Sequence, residues 1–283
     1  MKKILSIQDI SCYGQCSLTV ALPVISACGI EIAALPAAVL STHTGGFKSI
    51  TFRDLSEDIP AMMHSWLANG ISFDGFYTGY LCEKQIAPIL EIMERCANPG
   101  ALRLVDPVMG DDGLLYSGFT QDFPLKLRRL CENADFLLPN LTEAALLLGE
   151  KPRLKGYDQD YVESTLKNLH ALGAANIILT GVSLDPNTLG VAIYDGHDIR
   201  YHFNPRLPRS SPGTGDLFAS VFTGAILRGI PLHEAAALAA DIVCLALRIT
   251  PPDHWYGVCF EQVIPELVRR VGMSAPHTDC GAK

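Results

Sequence analysis

Pro212-Gly213-Thr214-Gly215-Asp216-Leu217-Phe218 is the stretch that organises the chain. Two glycines flank a threonine, an aspartate follows at once, and Leu217 to Leu227 runs on as an apolar, small-residue segment of helical character. Glycines let backbone N–H groups turn toward one point with no Cβ in the way. The helix behind them aims its first amides and the positive end of its dipole at the same point. Such a turn is an anion site. Asp216 sits inside it, and a carboxylate repels a phosphate. The conflict is resolved if the carboxylate is a base facing a hydroxyl while the amides hold a phosphoryl group. A plainer reading is a tight turn with Asp216 as helix N-cap. The stretch alone does not separate the two.

The rest of the chain narrows the choice. Its 283 residues are 48% hydrophobic, enough for the core of one large α/β domain. A net charge of −8 argues against non-specific nucleic-acid binding and against anionic membranes. No apolar run reaches the roughly 18 residues of a membrane span; the longest, Ala235 to Leu247, contains Asp241. The N-terminal Ile4-Leu5-Ser6-Ile7 run breaks at Gln8-Asp9, so it reads as a first strand and not as a leader. These features predict a soluble, cytoplasmic protein. The cysteines number nine and show no zinc-like CxxC pairs. Cys12 and Cys16 are spaced to face each other on a helix, but reduced thiols are the default reading.

Periodicity predicts strands at 3–8, 31–39, 74–78, 102–105, 135–138 and 176–180, with a short strand within 49–53. Helices are predicted at 17–28, 83–96, 123–132, 144–148 and 158–172, and one more ends at Leu67 with Asp54 or Ser56 as its cap. Asp195-Gly196 between 191–194 and 199–203 signals a hairpin. Helices at 217–228, 233–248 and 260–271 follow. Strand–helix alternation throughout predicts a single α/β domain over 1–271, a three-layer fold with a mostly parallel central sheet and helices on both faces. Residues 272–283 read as a C-terminal tail.

Polar residues gather at the C-terminal ends of these strands: Asp9, Thr78-Gly79-Tyr80, Asp106, Asn140 with Glu143, and Thr180-Gly181. Ligands of open α/β sheets bind along that edge. Singly, each is explained as a cap or turn residue. Their agreement with the Gly-Thr-Gly-Asp turn favours one shared site.

Together these segments resemble the ribokinase-like superfamily of small-molecule kinases, and most closely its pyridoxal kinase branch. Gly213-Thr214-Gly215-Asp216 is similar to the superfamily's GxGD anion hole and base. Asp106-Pro107-Val108-Met109-Gly110 is similar to its DPVxG segment, and Pro139-Asn140 with Glu143 to its PNxxE segment. Ser41-Thr42-His43-Thr44-Gly45 resembles the loop that holds the pyridine ring in vitamin B6 kinases, and Thr78-Gly79-Tyr80 their T/S-G-Y. The similarity runs from Ile4 to about Val271. It implies ATP-dependent phosphorylation of the 5'-hydroxymethyl group of pyridoxal, pyridoxine or pyridoxamine. Asp216 is then the base, and Gly213, Thr214 and Gly215 are the anion hole. Asp9, His43, Thr44, Gly45 and Tyr80 meet the substrate. Asp106, Asn140, Glu143, Thr180, Gly181 and Thr214 meet the nucleotide, aided by the 206–211 loop, with Asp106 and Glu143 serving Mg²⁺. A homodimer and a monovalent cation are also implied. Two positions depart from the pattern. Relatives commonly carry serine after the Ile-Gln of the first strand, where this chain has Asp9. Leu138 stands where some relatives place a cation-binding hydroxyl, so it offers only its backbone.

Four rivals are weighed at this point. A hydroxymethylpyrimidine kinase also phosphorylates a CH₂OH on an aromatic heterocycle, but the Ser41-to-Gly45 loop favours a B6 vitamer. A non-catalytic nucleotide or B6 sensor has no need of Asp216. A dinucleotide-dependent oxidoreductase is disfavoured because no GxGxxG follows the first strand, and a P-loop kinase because GxxxxGK[ST] is absent.

Overall fold

The structure, a computed structural model, describes residues 1–272. In chain order its first elements are β1 (Lys3–Ser11), α1 (Leu18–Ala27), β2 (Glu31–Leu40), β3 (Phe52–Asp54), α2 (Ile59–Ala68), β4 (Phe73–Thr78) and α3 (Glu83–Arg95). Next come β5 (Ala97–Val105), β6 (Gly110–Asp111), β7 (Leu114–Leu115), α4 (Phe123–Cys131), β8 (Phe136–Leu137), α5 (Leu141–Leu148) and α6 (Gln159–Ala171). The chain continues through β9 (Asn176–Val182), β10 (Thr188–Tyr194), β11 (Ile199–Pro205), α7 (Thr214–Leu227), α8 (Leu232–Ile249) and α9 (Ile264–Gly272).

A nine-stranded sheet forms the middle layer in the order β11-β10-β9-β8-β5-β4-β1-β2-β3. Strands β2, β1, β4, β5, β8 and β9 run parallel, and β3, β10 and β11 add antiparallel edges. The core strands bury both faces, which is why β1 and β4 read as apolar runs and not as clean alternation. Helices α2 to α6 pack their apolar stripes on one face, around Phe73, Phe76, Ile89 and Leu127. Helices α1, α7, α8 and α9 cover the other, around Tyr77, Leu104, Val221 and Phe222. From β1 the chain steps to β2 on one side and later returns to β4 on the other. The sheet therefore has its topological switch between β1 and β4. The crevice beyond their C-terminal ends is where such a sheet places a ligand.

The expected three-layer α/β architecture is present, and its differences from the sequence reading fall at the ligand edge. Strand β1 runs three residues past Gln8, to Ser11, so Asp9 belongs to the strand and not to a loop. It keeps pairing with β2 through a bulge between Gln8 and Ile10. Helix α5 begins at Leu141 because Asn140 caps it: the side chain accepts the Glu143 N–H at 2.9 Å, and Glu143 answers the Asn140 N–H at 2.9 Å. The cap before α2 is Asp58, not Asp54 or Ser56; Asp54 instead accepts the Ser56 N–H in the preceding turn. The small hairpin β6–β7 is an addition to the sequence reading: Asp112-Gly113, with φ 50° and 80°, makes its turn, but its strands are only two residues each. Met273 onward, nearly all of the expected tail, lies outside the described residues. Among the described residues no helix is long and apolar enough to cross a membrane.

Candidate active site

Helix α7 starts at Thr214, three residues earlier than its apolar run suggests. Gly213 precedes it with φ 79°, and a Cβ there would lie 1.9 Å from the Gln15 carbonyl oxygen. Glycine is thus demanded twice at 213, by conformation and by contact. The first intrahelical bond is from the Leu217 N–H to the Gly213 carbonyl, 2.9 Å. The amides of Thr214, Gly215 and Asp216 have no helical partner, and no side chain caps the helix. Asp216 stands in the first turn, so the plain reading of it as N-cap is corrected. Gly215 is exposed, and a Cβ on it would meet no protein atom within 4 Å. No protein atom requires glycine there.

Around that turn the structure gathers carboxylates from separate strands and helices. Burial pushes Asp216 up to about 6; the Ser17 N–H it accepts pulls the other way, and the Asp9 carboxylate adds to the rise. Asp9, at 5% exposure, is raised by burial and held back by hydroxyls: Ser17 Oγ donates to one oxygen at 2.5 Å and Ser11 Oγ to the other at 3.2 Å. Asp106, at the end of β5, is raised well above the carboxylate range by burial, then by Glu143 and Asp216. Glu143 is pushed to about 8 by burial, against the backbone amides of Asn140, Met109 and Gly110 that point at it. Its two oxygens accept the Asn140 N–H at 2.9 Å and the Met109 N–H at 3.2 Å. Glu143 therefore stitches the 106–110 turn to α5 as well as lending charge.

The other expected residues fall into place unevenly. His43 is buried and both its ring nitrogens face backbone. Nδ1 accepts the Gly45 N–H at 3.0 Å, so Nε2 carries the proton that goes to the Tyr256 carbonyl at 2.9 Å. It shapes the 41–47 loop from within, while Thr44 and Gly45 are exposed on its rim. Tyr80 is half-buried against Phe119 at 5.4 Å between centroids. Burial, then the Asp9 charge, pushes its phenol up to about 12. The Asn140 side-chain amide is spent on the Gly110 carbonyl and the Glu143 N–H, so it holds backbone in place. Thr180 lies beside it, its N–H on the Pro139 carbonyl at 2.9 Å. Gly181 follows with φ 74° and open space around it. Thr214 Oγ1 donates to the Ser211 carbonyl at 3.1 Å.

Several residues at this edge escaped the sequence reading. Ser17 donates its hydroxyl to Asp9. Burial, then the charges of Glu143, Asp111, Asp106 and Asp216, push the phenol of Tyr116, just after β7, far up. The 254–257 segment ties the loops together: Tyr256 accepts from His43 and Gln15, and Ser211 Oγ donates to the Gly257 carbonyl at 2.7 Å. Tyr13, Phe47, Trp255 and Tyr256 form an aromatic wall over it. Aromatic residues scattered 200 positions apart carry no spacing signal.

Comparison with known proteins gives the same reading. The phosphomethylpyrimidine kinase family model matches residues 22–257. A pyridoxal kinase structure from Lactobacillus plantarum is 33% identical, covering 95% of this chain and 98% of its own, with a TM-score of 0.88. A Bacteroides thetaiotaomicron protein, described as a candidate phosphomethylpyrimidine kinase and solved with pyridoxal, is 34% identical over 94% of this chain and 95% of its own, also at TM-score 0.88. The pyridoxal kinase of Dictyostelium discoideum is 26% identical over 80% of this chain and 78% of that protein. The chain belongs to the phosphomethylpyrimidine kinase family, on the pyridoxal kinase branch of the ribokinase-like kinases. It is a small-molecule kinase with ATP as co-substrate.

Proposed function

We propose that this kinase transfers the γ-phosphoryl group of ATP to the 5'-hydroxymethyl group of a B6 vitamer, in salvage of pyridoxal 5'-phosphate. The observation that carries the reading is the uncapped first turn of α7. It presents three partnerless amides and one half-buried carboxylate beside the switch between β1 and β4. Asp216 accepts the proton of the acceptor hydroxyl. The amides of Thr214, Gly215 and Asp216 hold the phosphoryl oxygens as charge shifts onto them, helped by the dipole of α7. Tyr80 and the 41–47 loop, shaped by His43, hold the heterocycle; the aromatic wall keeps water from the acceptor. Thr180, Gly181 and the 206–211 loop take the nucleotide.

Mg²⁺ fits Asp106 and Glu143. Glu143 raises the proton affinity of the buried Asp106, and two such neighbouring carboxylates favour a cation near them. Among the described residues no cluster of three such side chains could cage a metal. That suits an ion that keeps several waters and is bound mainly through phosphates. When bound, it neutralises phosphate charge. Leu138 leaves only backbone for a monovalent cation. Work in the cytoplasm as a homodimer is the expectation by resemblance, checked by sedimentation of the purified protein.

The experiment is a product assay with ATP, Mg²⁺ and each of pyridoxal, pyridoxine, pyridoxamine and hydroxymethylpyrimidine. At least one B6 vitamer is phosphorylated at the hydroxymethyl oxygen with the highest kcat/KM of the set. A higher kcat/KM for the pyrimidine would overturn the B6 assignment, and no product from any acceptor would return the chain to a sensor.

A further inference from the structure

Gln15 stands where separate stretches of the chain meet. It lies half-buried in the loop between β1 and α1, and its partners are far away in sequence. Its N–H donates to the Tyr256 carbonyl at 3.2 Å. Its side-chain Nε2 donates to both oxygens of Glu261, at 2.7 and 2.9 Å. Glu261 belongs to the single 3-10 turn Phe260–Gln262 that leads to α9. A carboxylate only accepts, so the amide is oriented with Nε2 toward Glu261 and Oε1 toward His254. His254 Nε2 therefore carries a proton and donates to Oε1 at 2.7 Å. The residue is packed as closely as it is bonded. A Cβ at Gly257 would lie 2.5 Å from the Gln15 Cβ, and a Cβ at Gly213 would lie 1.9 Å from the Gln15 carbonyl oxygen.

The Tyr256 carbonyl accepts a second bond, from His43 Nε2 at 2.9 Å, and so fixes the 41–47 loop as well. Gln15 thus touches the anion turn at Gly213 and, through one shared carbonyl, meets the loop that holds the acceptor. A spacer before α1 needs neither a side-chain amide nor a close fit to two glycines. We propose that Gln15 is a positioning residue that sets the acceptor loop against the first turn of α7, so that the acceptor hydroxyl and the phosphoryl group meet in line. This rests on the kinase reading above. A displacement of about 1 Å at such a joint costs rate on the order of 10²-fold.

The test measures kcat, KM for ATP, kcat/KM for the best acceptor and Tm in Gln15→Ala, Gln15→Glu, Glu261→Gln and the pair Gln15→Glu with Glu261→Gln. Gln15→Ala keeps the backbone contacts and loses both side-chain ties, so acceptor kcat/KM falls on the order of tenfold or more. KM for ATP stays within about threefold, because the 206–211 loop keeps its own tie from Thr214 Oγ1 to the Ser211 carbonyl. Gln15→Glu sets two carboxylates face to face and costs as much. Glu261→Gln alone leaves an acceptor for Nε2 and stays within about threefold of wild type. In the pair, donor and acceptor are exchanged: the new amide at 261 donates to the new carboxylate at 15, which still accepts from His254. Acceptor kcat/KM then returns to within about threefold of wild type. A Gln15→Ala enzyme within about twofold of wild type overturns the proposal. So does a pair no better than Gln15→Glu alone, or a KM for ATP that rises as far as that of the acceptor. If Gln15→Ala does not fold, the exchange series decides. A wild type that phosphorylates no acceptor sinks the kinase reading itself, whereas an active wild type with unaffected variants sinks only the role of Gln15.

Discussion

Asp216 holds its proton more tightly in the fold than in an unfolded chain, because burial moves it from the ordinary carboxylate range to about 6. A base must be ionised, so kcat/KM for the acceptor falls as pH drops below about 6. The same shift has a sign for stability. The folded state binds the extra proton, so the favourable contribution is complete below the ordinary carboxylate value and is lost as pH rises through about 6. At neutral pH the ionised Asp216 is a cost to the fold, and Asp216→Asn raises Tm at pH 7.5 but not at pH 4; an equal Tm at both would remove burial as the cause. Asp9 gives a prediction on specificity. Among the described residues its oxygens are held by hydroxyls and not by a cation, which leaves its charge to meet one on the substrate. Pyridoxamine brings an ammonium where pyridoxal has a neutral group. A charge-assisted hydrogen bond is worth about 1.5–3 kcal/mol, roughly 10- to 150-fold in kcat/KM. Replacing Asp9 by Ser therefore lowers the pyridoxamine-to-pyridoxal ratio of kcat/KM, and a ratio that moves less than about threefold would show that Asp9 does not read the amine.

At the scale of elements, the first turn of α7 separates two glycines with different duties. Gly213→Ala puts a methyl against the Gln15 carbonyl in a left-handed backbone and destabilises the protein. Gly215→Ala meets no protein atom, and alanine is favoured over glycine in a helix by up to about 1 kcal/mol. Its methyl intrudes instead where a phosphoryl group approaches, so activity drops while Tm holds or rises; full activity in Gly215→Ala would mean that the amides are not used. The turn after β5 and the cap of α5 form the second such element. Glu143 accepts two backbone N–H groups, so Glu143→Gln disturbs the cap as well as any metal. Asp106→Asn isolates the charge. It raises the Mg²⁺ concentration for half-maximal activity by about tenfold, and an unchanged Mg²⁺ curve would take Asp106 out of the metal's surroundings.

For the molecule as a whole, the sheet order places the switch between β1 and β4, whereas the sequence pointed only to the C-terminal edge of the strands. Apolar strands leading to Thr78-Gly79-Tyr80 and Asp106 were legible because strand and helix differ in hydrophobic period and because glycine and proline mark the turns; the end of β1 was not, since the strand runs past Asp9 to Ser11. The α7 turn was legible for the same reason. Less was legible where one residue's partners lie far along the chain. Nothing in the sequence shows that His43 spends both nitrogens on backbone, that Asn140 is consumed as a cap, or that the Ser17 hydroxyl is given to Asp9. These depend on loops meeting in space, and a local pattern carries no record of that. The central claim is that the carboxylate in the anion turn is the base for phosphoryl transfer. Its most direct test is kcat for B6 phosphorylation by Asp216→Asn, measured beside ATP affinity. A positioned base contributes about 10²- to 10⁴-fold, so kcat falls by at least a hundredfold while ATP binding stays within a few fold. A variant retaining more than about a tenth of wild-type kcat would contradict the account.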